Sequence, residues 1–199
     1  NLVIVFLATA SAYVVFRNAM QVERGGHIWT MSDWLINYDA GFVRRGLTGW
    51  LTFFFSDLYG PAPAVVAGLM QTLIYGVMTL VILYMLSRIR MTGPVLMLAV
   101  SPVFLLMPFY FVKLAMCKEM IGFLGLALIA LTAFNRSKAT FWSGIAVFCL
   151  SGLAHEINGF LAPAVLASVA LLAANGIITW REAVAAAGGE SGIFHQSKR

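Results

Sequence analysis

Long apolar stretches without a charged residue recur along this chain, and they constrain its fold more than any other feature. The stretch 62–87, for example, contains no Asp, Glu, Lys or Arg. Apolar residues make up 61% of the sequence and charged residues only 11%, against roughly 25% charged residues in soluble domains. So few charges can neither cover a water-soluble globule nor keep a chain disordered. The sequence therefore predicts an all-α, polytopic membrane helix bundle, because helices satisfy their own backbone hydrogen bonds in lipid.

Six stretches are predicted to span the membrane within a single transmembrane domain, residues 1–180. They are residues 1–16, 62–87, 92–112, 119–134, 139–154 and 160–180. The mixed segment 17–61 separates the first two spans. In it, Ser32 can cap a short helix over 32–39, and 47–59 is apolar but too short to cross. We therefore expect two interfacial helices in this segment.

The charged loops indicate how the bundle is oriented. If 47–59 does not cross, successive connections alternate between two faces. One face holds Arg88, Arg90, Arg136, Lys138, Arg181, Lys198 and Arg199, against Glu182 and Glu190. Short loops rich in Lys and Arg are cytoplasmic, so this face and the tail 181–199 are predicted to be cytoplasmic. The net charge of +5 is then explained by orientation rather than by nucleic-acid binding. The start at Asn1 without Met favours a fragment or a processed chain.

The first polar group on the opposite face lies in segment 17–61. Asp39, Arg44 and Arg45 occur there among glycines that allow close approach of the backbone. The guanidinium group of arginine can bind two oxygens of a phosphate or carboxylate at once, so one interpretation is a phosphate-binding site beside a carboxylate. The alternative is an Asp39–Arg45 ion pair with arginine side chains extended toward lipid headgroups.

Two further polar groups lie at predicted span ends on that same face. Lys118 and Glu119 form the first, and its alternative explanation is a helix start where Glu119 interacts favourably with the helix dipole. His155 and Glu156 form the second, in which the histidine can act as a general base or simply belong to a hydrogen-bonded turn. Ionisable groups at span ends are costly and often functional. Their shared face therefore indicates a candidate site.

The remaining sequence motifs do not indicate a metal site or a cofactor site. Position 159 is Gly, so the His-Glu pair is not the HExxH of zinc proteases, and the sequence predicts neither a metal nor a cofactor. Helix packing is the favoured role for a set of small residues in the fourth and fifth spans. These are Gly122, Gly125, Ser143 and Gly144.

The order of these features resembles the architecture of C-type membrane glycosyltransferases. A first span precedes a long extracytoplasmic segment with surface helices and an acidic residue, and further spans follow. The stretch 38–47, with Lys118-Glu119 and His155-Glu156, is similar to bacterial surface-polysaccharide proteins of the O-antigen polymerase kind (Wzy/EpsG-like). The resemblance implies the bacterial inner membrane, a polyprenyl-phosphate-linked sugar or oligosaccharide as donor, and membrane-protein partners.

The resemblance also implies roles for the polar residues at the extracytoplasmic face. Those implied to bind the substrate and its phosphate are Arg44, Arg45, Lys118 and Glu119. Asp39, or His155 oriented by Glu156, would deprotonate the acceptor hydroxyl. The main alternative from the residues alone is a transporter or a non-catalytic membrane subunit. Charges near the membrane midplane would favour transport, whereas these charges lie at one face.

Overall fold

The computed structural model describes residues 2–26, 28–39, 41, 45–99, 101 and 116–188 of this chain. These residues are helical or irregular, with no strand among them, which confirms the all-α prediction. The helices are α1 (Leu2–Glu23), α2 (Ile28–Trp34), α3 (Gly46–Tyr59), α4 (Pro63–Arg88), α5 (Gly93–Ala99), α6 (Glu119–Asn135), α7 (Lys138–Ala154), a 3₁₀ turn (Glu156–Leu161), α8 (Ala162–Ala174) and α9 (Trp180–Ala186).

Three helical segments of the described residues are long and apolar enough to cross a membrane, consistent with an integral membrane protein. They are α1, α4 and the continuous segment Glu156–Ala174. The apolar helices α6 and α7 have 17 residues each, slightly short of a full span. Of the predicted span 92–112, α5 is described and most of the remainder lies outside the described residues. The predicted count of six spans is therefore not confirmed.

Two span boundaries differ from the prediction. Helix α1 continues to Glu23 instead of ending at residue 16, because Asn18 in its polar last turns bonds to α4. Gly25 and Gly26, both at positive φ, then end the helical path. The last span ends at Ala174 rather than residue 180, since Gly176 takes φ 65° in the turn that follows.

The two short helices of segment 17–61 exist, one of them displaced. The predicted helix 32–39 lies instead at Ile28–Trp34, whereas the predicted stretch 47–59 closely matches α3. Fourteen residues give α3 a length of about 21 Å, which is shorter than the hydrocarbon core of roughly 30 Å. Gly60 in the left-handed conformation ends α3, and Pro63 then begins α4.

Helices α1 and α4 pack antiparallel through polar and small residues. The buried Asn18 amide donates to the Gly68 carbonyl (3.3 Å) and to the Thr72 hydroxyl (3.2 Å). About two turns closer to the start of α1, the Ser11 hydroxyl lies 3.4 Å from the Tyr75 hydroxyl of α4. Such interhelical hydrogen bonds hold membrane helices together, because lipid tails provide no hydrophobic force between them. The end of α1 and the start of α4 therefore lie at the same end of the bundle.

Helices α6 and α7 pack closely at two glycines. A Cβ on Gly125 would lie 2.8 Å from the Phe148 nitrogen, and a Cβ on Gly144 would lie 2.8 Å from the Ile129 nitrogen. A Cβ on Gly122 would lie 2.7 Å from the side-chain oxygen of Asn158. The predicted packing role of these three glycines is confirmed. Ser143, in contrast, is exposed.

Replacing Gly144 by alanine should lower the thermal stability of the bundle, because the new methyl group meets backbone atoms of α6 that cannot rotate away. Such overpacking typically costs about 1–3 kcal/mol. Gly152 on the same helix has open space around its Cβ position. Gly152→Ala should therefore be neutral or stabilise by up to about 1 kcal/mol. Unfolding of both variants in detergent checks this, and equal stabilities would contradict the proposed close contact.

The basic end of the bundle lies opposite the end of α1. The Lys138 ammonium lies 2.7 Å from the Glu182 carboxylate and so connects the start of α7 to α9. Thr179 and Glu182 form a capping box at the start of α9. Hydrogen bonds from Lys138 and Thr179 lower the pKa of Glu182 to about 2. The predicted tail 181–199 thus begins within a short helix that is tied to the bundle.

Candidate functional site

A buried tryptophan positions the first element of the site. Trp34 at the end of α2 is 1% exposed and packs against Met31 and Ala67. Its indole N–H donates to the Met116 carbonyl at 2.8 Å, just before α6 begins. A buried indole usually finds such an acceptor, because an unpaired N–H would be costly away from water. This contact holds α2 beside the start of α6.

Lys118 is the central buried group of the site. Its side chain has no exposed surface, and its ammonium lies 3.6 Å from an Asp33 carboxylate oxygen. The ammonium also donates to the backbone carbonyl of Arg45 at 2.9 Å. Burial lowers the pKa of Lys118, and the nearby Asp33 charge offsets this in part. Lys118 thus links α2, the chain before α3 and the start of α6.

The second ion pair is accessible to solvent. An Arg45 guanidinium nitrogen lies 3.0 Å from a Glu156 carboxylate oxygen, and the two side chains are 41% and 47% exposed. This hydrogen bond raises the pKa of Arg45 above its ordinary value. The pair joins the residue before α3 to the first residue of the 3₁₀ turn. A ligand that reaches this end of the bundle can therefore meet both charges.

The third pair involves His155. Its Nε2 lies 3.8 Å from a Glu119 carboxylate oxygen. Its Nδ1 accepts a hydrogen bond from the Ile157 backbone N–H at 3.2 Å and thereby caps the 3₁₀ turn. Because Nδ1 accepts, the neutral imidazole carries its proton on Nε2, directed at Glu119. In this arrangement, neither ring nitrogen offers a free lone pair for a base.

The structure thus brings parts of all three predicted groups into one set of ion pairs, which we call the ion-pair layer. Its members are Asp33, Arg45, Lys118, Glu119, His155 and Glu156. The described ion pairs differ from two pairings considered from the sequence. Arg45 pairs with Glu156 rather than with Asp39, and the described ion pair of His155 is with Glu119 rather than with Glu156.

Two predicted site residues are not placed in the layer. Asp39 is exposed, and both of its described hydrogen bonds are with Asn37. Arg44 lies outside the described residues. One member of the layer, Asp33, was missed by sequence reasoning. It lies in α2 directly before Trp34, and nothing in its spacing connects it to Lys118, which is far along the chain.

The charges of the layer nearly cancel. Three carboxylates, from Asp33, Glu119 and Glu156, face the two cations Arg45 and Lys118, and His155 adds a further positive charge only when protonated. Lys118 already has two internal partners, and its side chain is sealed from solvent. Arg45 is therefore the cation of the layer that an incoming anion can reach. No group of three metal-ligating side chains occurs in the part of the chain that the structure describes.

Comparisons of this chain with family models, with curated proteins and with solved structures give no match.

Proposed function

We propose that this protein is a membrane glycosyltransferase or polysaccharide polymerase that uses a polyprenyl-phosphate-linked sugar donor. The observation that supports this best is the accessible Arg45–Glu156 pair at one end of a membrane helix bundle. A guanidinium nitrogen and a carboxylate oxygen lie 3.0 Å apart in this pair, and in the proposal the guanidinium binds the phosphate while the carboxylate accepts a proton. Both are needed when a hydroxyl displaces a phosphate from a sugar.

The proposed reaction begins when the donor phosphate binds to Arg45 and displaces Glu156. The acceptor hydroxyl oxygen then forms a bond to the anomeric carbon of the sugar, and the bond from that carbon to the phosphate oxygen breaks. The bonding electrons stay on the phosphate, where the guanidinium stabilises the added charge. The hydroxyl proton passes to the Glu156 carboxylate.

The remaining members of the layer have supporting roles in this proposal. Lys118 is sealed from solvent and bonded to the Arg45 carbonyl, so it positions the arginine backbone instead of binding the phosphate. Glu119 faces the Nε2–H of His155, and this contact favours a positioning role for the histidine over the general-base role. Asp39, which the sequence predicts as a base, remains the alternative to Glu156 in that role.

The proposed location is the extracytoplasmic face of a bacterial inner membrane. Arg88, Arg136 and Lys138 occur at helix ends opposite the ion-pair layer. Short basic loops favour the cytoplasm. The layer would then lie at the outer leaflet, where a lipid-linked sugar is presented.

One observation favours a non-catalytic structural subunit as a second candidate. Both cations of the layer are already paired with carboxylates, as expected if the layer only joins helices. Transport is less well supported, because the layer lies at helix ends and not near the membrane midplane. The structural candidate predicts that Arg45 tolerates substitution.

The experiment that tests the proposal follows lipid-linked sugar into product in membranes that contain the full-length protein. Arg45→Ala should lower product formation about 10²-fold or more, because it removes the charge that stabilises the leaving phosphate. Arg24→Ala, at an exposed arginine just past the end of α1, is the matched control and should retain wild-type product. Normal product from Arg45→Ala at equal membrane level, or none from wild type, would refute the proposed function.

A further inference from the structure

Helix α3 carries a run of exposed aromatic side chains that contact one another. Trp50 stacks on Phe54 with ring centroids 5.7 Å apart, Phe54 meets Phe55 edge to face at 5.4 Å, and Phe55 stacks on Tyr59 at 6.2 Å. Leu58 extends the same exposed surface. We call these five residues the α3 strip. From Trp50 to Tyr59 it extends about 14 Å along the helix axis.

Buried residues between and before the strip residues fix α3 on the bundle. Thr48, Gly49 and Thr52 are buried. A Cβ on Gly49 would collide with the Ile36 backbone, and the Thr52 hydroxyl lies 3.7 Å from the Met70 sulfur of α4. These contacts fix the rotation of α3 about its own axis and leave the α3 strip exposed.

The strip begins next to the accessible cation of the ion-pair layer. Arg45 immediately precedes the first residue of α3, and Trp50 follows it by little more than one helical turn. A cation at one end of an aromatic surface matches a molecule with an anionic head and a long apolar chain. The ring stacking also supplies flat apolar area without mobile side chains, which lowers the entropy cost of binding.

We propose that the α3 strip binds the hydrocarbon chain of the lipid phosphate whose head binds Arg45. This inference rests on the proposed function and adds a second subsite to it. The chain lies along Trp50, Phe54 and Tyr59, so the strip holds the donor in a fixed direction relative to the Arg45–Glu156 pair.

Photolabelling tests the inference directly. The full-length protein in phosphatidylcholine nanodiscs is exposed to farnesyl phosphate that carries a diazirine on its chain, and labelled peptides are mapped by mass spectrometry. We expect labelling within residues 50–59 that is competed by unlabelled farnesyl phosphate. Excess farnesol, inorganic phosphate or phosphatidylglycerol should compete at least about tenfold less well, because each lacks either the head or the single long chain.

Variants of the strip provide the quantitative test. The double variant Trp50→Ala, Phe54→Ala should weaken competition by farnesyl phosphate about tenfold or more, as expected for loss of two large apolar contacts. Phe16→Ala removes an equally exposed aromatic side chain from α1 and should leave competition unchanged. Labelling of α3 that farnesyl phosphate does not reduce would show contact with bulk lipid only and overturn the inference.

Failure of the inference can be told apart from failure of the proposed function. Farnesyl phosphate binding that depends on Arg45 but not on the strip, together with normal glycosyl transfer, would reject the strip alone. Binding that depends on the strip without any transfer by wild type would reject the enzyme and keep the lipid-phosphate site. Absence of saturable binding of farnesyl phosphate would refute lipid-phosphate binding by the α3 strip, whatever the result of the transfer assay.

Discussion

Replacing Glu156 by glutamine should lower the turnover of the proposed glycosyl transfer about 10²- to 10⁴-fold, the usual contribution of a positioned general base. The glutamine can still accept a hydrogen bond from Arg45, so the fold around the pair should persist. Donor binding should change far less than turnover, because the phosphate contacts Arg45 and not the carboxylate. The measurement is kcat and KM for the lipid-linked donor in membranes with matched protein levels.

The matched control for this variant is Asp57→Asn, which neutralises an exposed carboxylate on α3. It should retain wild-type turnover. Asp39→Asn belongs in the same series, since Asp39 was the base predicted from the sequence. Loss of turnover in Asp39→Asn with normal turnover in Glu156→Gln would transfer the base assignment to Asp39 and contradict the geometry proposed here.

Replacing Asp33 by asparagine should destabilise the protein by about 1.5–3 kcal/mol, the usual contribution of a hydrogen bond to a charged group, because Asp33 itself is part exposed. The stranded group is the Lys118 ammonium, which has no exposed surface. Burial already lowers the pKa of Lys118, and losing the Asp33 charge should lower it further. Thermal unfolding in detergent, with Asp57→Asn as the control, measures the loss.

The pH dependence of this loss has a defined sign. Unfolding returns Lys118 to its ordinary pKa. The free energy of unfolding of the variant is therefore lowered most at pH values where the buried lysine is still charged. The deficit relative to wild type should therefore be largest below the lowered folded pKa of Lys118. It should shrink as the pH rises toward the ordinary lysine value of about 10.4. A deficit that grows with pH, or a fully stable Asp33→Asn variant, would show that Asp33 does not stabilise Lys118.

A compensating variant separates charge from packing. Asp33→Asn combined with Lys118→Met removes both partners of the pair, and it should be more stable than Asp33→Asn alone. Recovery is expected to be incomplete, because methionine cannot donate to the Arg45 carbonyl. A double variant that is less stable than Asp33→Asn would show that the bond to this carbonyl outweighs the stranded charge.

The sequence by itself determined that this protein is all-α with apolar helices suited to a membrane, and it determined the position of several of those helices. A run of apolar residues such as 62–87 has only one stable backbone solution in lipid, and α4 occupies it almost residue for residue. Helix α3 was predictable because the stretch 47–59 is mostly apolar and lies between Gly46 and Gly60. Gly125 and Gly144 were recognisable as candidate packing positions, since small residues are enriched where membrane helices approach closely.

Only the tertiary structure decided which charged residues meet. The sequence placed Arg45, Glu119 and Glu156 at one end of the bundle, but their pairing depends on how α3 and the 3₁₀ turn lie against α6. That arrangement is set by long-range contacts such as the Trp34 indole on the Met116 carbonyl, which have no signature in local spacing. Asp33 entered the site for the same reason. Charge and apolar periodicity are local properties of a chain, whereas ion pairs between distant segments exist only once those segments have packed.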